Sequence, residues 1–254
     1  MRSPTDIFGP KQYLLVLSHM RSHSSLLAHI LGSHPGVTGH AEMHCRYSTP
    51  LDLVKLRCRV IVDNGGQLTG QYVLDKVLWS HLHIDERILC RPDLKVVFLL
   101  RDAPSTLRSI VNLGVGFDFG HWYRDASKVS DYYVERLRTL RGLADTLHSS
   151  GRTSFFLHSS ELVDDSDAVL ADLGRWLGLQ EPLRPQYDVF DTTGRRNAGD
   201  PSEHIKARTI VKSRPTHDFD LDPALVQVAS RAHDECLDAL RRVCVTSTSA
   251  RASG

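Results

Sequence analysis

A short polar stretch near the start of the chain has the residue types of an anion-binding turn. Residues 14–31 (LLVLSHMRSHSSLLAHIL) begin as an apolar, strand-like run and end with helical spacing. A turn that leads from a strand into a helix directs backbone N–H groups and the positive end of the helix dipole at one point, which favours phosphate or sulfate. Arg21 adds a charge there, and Ser22, Ser24 and Ser25 add hydroxyl donors. The alternative is an ordinary helix start with Ser22 or Ser24 as N-cap.

The same turn lacks most residues of the nucleotide-triphosphate loop GxxxxGK[ST]. In that alignment Ser18 and His23 replace the glycines, Ser24 replaces the lysine, and Ser25 alone matches. The lysine supplies the main charge for the β- and γ-phosphates in kinases and NTPases. Its absence from the turn argues against ATP cleavage.

A second pair of polar residues follows the most apolar run of the chain. Residues 95–100 (KVVFLL) are typical of a strand that is covered on both faces. Arg101 follows directly, and Ser109 lies two helical turns along a predicted helix over 103–111. Both side chains reach one anion if that helix runs alongside it. The alternative is an arginine at the sheet edge and a serine packed within the helix.

Strand and helix signals alternate along the chain, which predicts a parallel, helix-covered sheet with ligands at the carboxyl ends of its strands. We expect one domain over residues 1–245 and a disordered polar tail over 246–254. Predicted strands span 13–17, 37–42, 72–75, 95–100 and 153–157. Predicted helices span 24–31, 51–62, 103–111, 131–147, 164–177 and 223–243.

Composition argues for a cytoplasmic protein that holds anions locally. The 254 residues include 31 basic and 30 acidic residues, a net charge of +1, so no overall basic field favours nucleic acid or a membrane surface. The five cysteines form no CxxC pair, which favours reduced thiols. No signal-peptide core and no run of about 20 apolar residues is visible.

Two of these segments resemble the signatures of sulfotransferases that use 3′-phosphoadenosine 5′-phosphosulfate (PAPS). Residues 21–27 (RSHSSLL) are similar to the family's RSGSTLL loop, which wraps the 5′-phosphosulfate, with His23 in place of glycine. Arg101 and Ser109 match the second signature, an arginine after a strand and a serine eight residues later, which hold the ribose 3′-phosphate.

Four looser similarities extend the resemblance to about residues 13–210. Residues 39–44 (GHAEMH) are similar to a GxGExH segment of bacterial-type members, and 72–76 (YVLDK) to a strand ending in DK. Residues 156–162 are similar to a YEDL segment, but Ser160 stands at the tyrosine, and 195–202 (RRNAGDPS) are similar to a loop that closes over the nucleotide. The resemblance implies a three-layer α/β fold, with a central parallel sheet of about five strands flanked by helices, like that of nucleotide kinases.

The resemblance implies in-line transfer of the sulfuryl group from PAPS to a hydroxyl or similar acceptor, with release of adenosine 3′,5′-bisphosphate (PAP). Glu42 is the first candidate for the base that takes the acceptor's proton, and His44 is the alternative. Arg21 and Lys76 are candidates to neutralise the transferring group, although Lys76 is equally consistent with a solvated lysine. The expected donor-binding residues are Arg21, Ser22, His23, Ser24, Ser25, Leu26, Arg101, Ser109, Arg195 and Arg196.

His40, Glu42 and His44 would line one face if their segment were extended. With Cys45 they also form a cluster of possible zinc ligands. The separated second half of a zinc site is missing, and PAPS chemistry needs no metal, so no metal is expected.

Two other functions stay open from the sequence. One is a small-molecule kinase of the nucleotide-kinase fold, and the other is a non-catalytic module that binds PAP or PAPS on the same scaffold. The acceptor is open between a sugar, a phenol, a lipid head group and a peptide tyrosine. Its specificity is expected to come from loops 117–123 and 46–59, whose aromatic and basic residues are candidate contacts.

Overall fold

The central feature of the computed structural model is one parallel sheet. The structure describes residues 9–116, 121–191, 193, 203–212 and 220–247. Within these residues six strands form the sheet in the order β2-β3-β1-β4-β5-β6, so β1 and β4 are its two central strands. The strands are β1 Gln12–Ser18, β2 Val37–Thr38, β3 Tyr72–Val77, β4 Leu94–Leu100, β5 Phe155–His158 and β6 Val245–Thr246.

Helices cover both faces of this sheet. They are α1 Ser24–Gly32, α2 Pro50–Asp63, α3 Glu86–Leu89, α4 Ala103–Gly116, α5 Ala126–Ser149, α6 Ser159–Asp164, α7 Ser166–Leu177 and α8 Pro223–Val243. Alternate residues of β1 enter two cores: Leu15 and Leu17 pack with α2, α4, α5 and α8, whereas Leu14 and Val16 pack with α1 and α7. The predicted α/β fold with a parallel, helix-covered sheet is thus confirmed.

The second predicted strand is much shorter than expected. Only Val37–Thr38 pairs with β3, and the chain then turns at Gly39, whose φ is 110°. A Cβ atom at Gly39 would lie 2.7 Å from the Leu74 carbonyl oxygen, so this close turn requires glycine. Residues 39–42 therefore form a loop rather than the end of a strand.

The sheet also has one strand more than the expected five. Val245–Thr246 pairs with β5, and Ser247 is buried. The prediction of a disordered tail over 246–254 is therefore wrong for residues 246 and 247. Residues 248–254 lie outside the described part. The helix predicted over 164–177 is confirmed as α7, which begins at Ser166, and a separate short helix, α6, precedes it. No helix in the described part of the chain is long and apolar enough to cross a membrane.

Candidate active site

The loop between β1 and α1 is tied to the neighbouring central strand. Ser18 ends β1, where the register pairs it with Leu99 of β4. Its Oγ donates to the Leu99 carbonyl oxygen at 2.6 Å and lies 2.6 Å from Ser22 Oγ. Ser18 and Ser22 have no solvent exposure. These hydroxyls therefore shape the loop, and Ser22 does not have the solvent-exposed position of a simple helix cap.

His23 adopts the backbone conformation that the glycine of the RSGSTLL loop would adopt without strain. Its φ is 69°, and Arg21 has a φ of 60°, so the loop contains two left-handed residues that are not glycine. Such a conformation costs a residue with a Cβ atom about 1–2 kcal/mol. The histidine thus preserves a glycine-like path, and its side chain makes no cap hydrogen bond to α1.

The two regions that resemble the family signatures are in direct contact. Arg21 Nε donates to Ser109 Oγ of α4 at 2.9 Å, and Arg101 Nη1 donates to the Arg21 carbonyl oxygen at 2.9 Å. The Arg101 amide also donates to His19 Nε2 at 3.1 Å. Arginine and hydroxyl groups from loops about 80 residues apart therefore meet at the carboxyl edge of β1 and β4.

Lys76 brings an ammonium group to the start of α1 from the adjacent strand. Its Nζ donates to Ser25 Oγ at 3.1 Å, and the residue is 1% exposed, so the alternative of a solvated lysine is wrong. Lys76 lies on the same sheet face as Leu74 and α1 because residues alternate along β3. A positive charge thus reaches the loop from outside it, although the loop itself carries no lysine.

Glu42 is buried rather than on the surface. Its side chain is 8% exposed, and its Oε1 lies 3.4 Å from Nδ1 of His44, which is 45% exposed. Burial raises the pKa of Glu42, and the charges of Lys76, His44 and Arg136 oppose that shift. Oε1 has no hydrogen-bond partner among the described residues. Both candidate bases therefore lie together, and Glu42 is the more enclosed.

Asp75 holds the Glu42 loop, a role that sequence analysis did not assign. Its Oδ1 accepts from the Met43 amide at 2.8 Å, and its Oδ2 accepts from the Tyr47 hydroxyl. Burial raises the pKa of Asp75 to about 6, which the hydrogen bond from Tyr47 opposes. Because Asp75 and Lys76 are consecutive, one side chain holds the Glu42 loop and the other reaches α1 on the opposite face.

His40 does not share a face with Glu42 and His44, so the expectation of one common face is wrong. Its ring stacks on Phe190 with centroids 3.9 Å apart, and it lies 5.2 Å from the His29 ring. Burial lowers the pKa of His40 to about 3. In the described part of the chain no group of three or more histidine, cysteine or acidic side chains has the arrangement to hold a metal ion.

Helix α5 braces the carboxyl edge of the sheet beneath the site. Arg136, which is 1% exposed, donates from Nε to the Ser18 carbonyl oxygen at 2.8 Å and from Nη2 to that of Val77 at 2.6 Å. Tyr132 accepts from the Met20 amide, and its hydroxyl donates to the Leu78 carbonyl oxygen, each at 2.9 Å. An arginine on the apolar face of a long predicted helix was the one sequence signal for this brace.

The other predicted site residues have varied positions. Ser24 is 4% exposed, and Leu26 packs against the core beneath α1. The Ser160 hydroxyl lies 2.7 Å from His158 Nδ1 within the first turn of α6. Arg195 and Arg196, like residues 117–120 of the predicted specificity loop, lie outside the described residues.

Comparison with known proteins adds no identification: no family model matches this chain, and no curated protein matches it significantly. The loop after β1, the turn after β4 and the Glu42 loop are the parts of the molecule that bear on its function.

Proposed function

We propose that the chain is a PAPS-dependent sulfotransferase that moves a sulfuryl group to a hydroxyl acceptor and releases PAP. The observation that carries this proposal is the contact of Arg21 with Ser109, together with that of Arg101 with the Arg21 carbonyl. The contacts join the loop expected to bind the 5′-phosphosulfate to the residues expected to bind the 3′-phosphate. Membership of the PAPS sulfotransferase family is part of the proposal.

The donor's charged end would lie at the N-terminus of α1, where first-turn N–H groups lack partners within the helix. Arg21 and Lys76 would neutralise charge that builds on the leaving phosphate as its bond to sulfur breaks. Arg101 and Ser109 would hold the 3′-phosphate, and we predict that Arg195 and Arg196 assist them. No metal is required for this reaction.

Glu42 would take the acceptor's proton as the acceptor oxygen attacks sulfur. A raised pKa makes the Glu42 carboxylate a stronger base than an exposed one, and its buried Oε1 has no hydrogen-bond partner among the described residues. His44 stays the alternative base, since its Nδ1 lies 3.4 Å from the same oxygen. Asp75 acts as a positioning residue, because it fixes the backbone beside Glu42.

A small-molecule kinase is the second candidate, and the position of Lys76 is the observation that favours it. This ammonium lies beside Ser25, the one residue that matches the nucleotide-triphosphate loop. Such an enzyme would require Mg²⁺ and ATP.

We place either reaction in the cytoplasm, since the five cysteines form no disulfide.

The decisive assay incubates the purified chain with sulfur-labelled PAPS and a small-molecule extract of cells, with PAPS hydrolysis subtracted. We expect a labelled product that depends on both enzyme and extract and needs no divalent metal. Transfer from ATP with Mg²⁺ instead would establish the kinase. PAP binding without transfer to any acceptor would favour the non-catalytic module.

A further inference from the structure

Four aromatic side chains form a continuous group beside the candidate base. This aromatic wall consists of Trp79, Trp122, Tyr123 and Tyr132. The Trp79 ring lies 5.3 Å from that of Tyr132 and 5.9 Å from that of Trp122, and Trp122 lies 4.2 Å from Tyr123. These centroid distances are those of packed aromatic pairs. The wall therefore presents several ring surfaces in one place.

The aromatic wall reaches Glu42 directly. The Trp79 side chain donates a hydrogen bond to Glu42. The pKa values of Tyr123 and Tyr132 are raised mainly by burial and further by the charge of Glu42, so both rings lie near this carboxylate. The Glu42 side chain is 8% exposed, and its Oε1 has no hydrogen-bond partner among the described residues. A hydroxyl group at this oxygen would thus lie against aromatic rings.

Two of the four polar ring atoms of the aromatic wall already have partners. The Tyr132 hydroxyl donates to the Leu78 carbonyl oxygen and accepts from the Met20 amide, and the Trp79 side chain bonds Glu42. Trp79, Trp122 and Tyr123 nevertheless stay partly exposed. The aromatic wall therefore keeps partly exposed apolar ring surface next to the Glu42 carboxylate. A phenol uses both features, because its ring packs on aromatic rings and its single hydroxyl needs one partner, which Glu42 supplies.

We propose that the aromatic wall is the acceptor site and that the acceptor is a phenol. The inference rests on the proposed function. The acceptor ring packs against Trp79 and Trp122, and its single hydroxyl donates to Glu42 Oε1. In the reaction that proton moves to Glu42 and the phenolic oxygen bonds to sulfur. The bond from sulfur to the donor phosphate breaks with its electron pair on the phosphate, giving an aryl sulfate and PAP.

The test compares ligands that differ in aromaticity on the purified full chain saturated with PAP. Calorimetry measures the affinity of 2-naphthol, of cyclohexanol and of methyl β-D-glucopyranoside. We expect 2-naphthol to bind at least about tenfold more tightly than the other two, since ring packing accounts for such a difference. In the presence of PAPS, mass spectrometry should detect naphthyl sulfate.

Variants of Trp122 separate ring contact from folding, because this residue has no assigned part in proton or sulfuryl transfer. Trp122→Ala should weaken 2-naphthol binding about tenfold, Trp122→Phe should restore most of it, and PAP affinity should stay at the wild-type value in both. If Trp122→Ala fails to fold, Tyr123→Leu takes its place with the same expected loss.

Two failures are distinguishable. If the wild-type chain does not bind PAP, the proposed function fails and the acceptor proposal falls with it. If PAP binds but 2-naphthol binds no more tightly than cyclohexanol, or if both the alanine and leucine variants bind 2-naphthol as the wild type does, the phenol proposal alone is overturned.

Discussion

The proposed donor half and the proposed acceptor half of the candidate site are built in different ways. The donor half consists of the loop after β1 and the turn after β4, with Arg21, Arg101 and Ser109 in a chain of hydrogen bonds. The acceptor half consists of Glu42 and the aromatic wall, brought together from loops that follow β2 and β3, from residues 121–124 and from α5. Two short local patterns specify the donor half, whereas the acceptor half depends on tertiary packing.

The largest expected effect is in the acceptor half. Replacing Glu42 with glutamine keeps its shape but removes the base, so turnover should fall by about a thousandfold. PAP affinity should stay near the wild-type value, because the donor half is intact. Initial-rate kinetics and calorimetry measure the two quantities. Glu161→Gln is the matched control, since glutamine also serves at the third position of the capping box on α6.

The pH dependence of activity distinguishes Glu42 from His44 as the base. Only the carboxylate form of Glu42 accepts a proton, and burial raises its pKa, so activity should increase as pH rises through a value above roughly 4.3, the ordinary glutamate value. This increase of activity with pH should persist in a His44→Gln variant. Near-normal turnover in Glu42→Gln would contradict this assignment of the base. Loss of the pH dependence in His44→Gln would contradict it as well.

A smaller effect is expected where the sheet supplies charge to the donor half. Lys76→Met removes an ammonium group beside Ser25 and should slow sulfuryl transfer by about a hundredfold. Lys95→Met is the control, because Lys95 lies on β4 and donates to the Trp176 carbonyl oxygen away from the site. Equal rates for the two variants would show that Lys76 has no electrostatic role in transfer.

The smallest expected effect concerns the strained loop itself. His23→Gly relieves about 1–2 kcal/mol of left-handed strain but restores about 0.5–1 kcal/mol of unfolded-state entropy, so the free energy of unfolding should rise by about 0.5 kcal/mol. His23→Ala keeps a Cβ atom and should show no gain. Denaturant titration of both variants measures the difference. A glycine variant less stable than the alanine variant would mean that the left-handed strain at position 23 is smaller than the entropy cost of glycine.

The sequence predicted the proximity of Arg21, Arg101 and Ser109 because these residues follow the ends of neighbouring strands. Strands β1 and β4 were visible as apolar runs, and parallel strands place their carboxyl ends at one edge. Residues that directly follow those ends, such as Arg101, were therefore expected to lie beside the loop that contains Arg21. The contact of Arg21 with Ser109 follows from this arrangement.

The acceptor half was harder to predict because it depends on where loops turn. The positive φ of Gly39 ends the second strand early and sends His40 into an aromatic cluster with Phe190. The partners of Asp75 lie 28 and 32 residues away in sequence, and no periodic pattern indicates such pairing. No periodic pattern indicates the hydrogen bond of Arg136 either, because the Ser18 carbonyl oxygen that accepts it lies 118 residues away in sequence.

The most direct test of the donor site compares two nucleotides that differ only in the 3′-phosphate. Calorimetry gives the affinity of the wild-type chain and of Arg101→Gln for PAP and for adenosine 5′-monophosphate. We expect the wild type to bind PAP about 10–100-fold more tightly than adenosine 5′-monophosphate, as for hydrogen bonds to a charged group, and Arg101→Gln to lose most of this preference. Equal affinity of the wild type for the two nucleotides would contradict it.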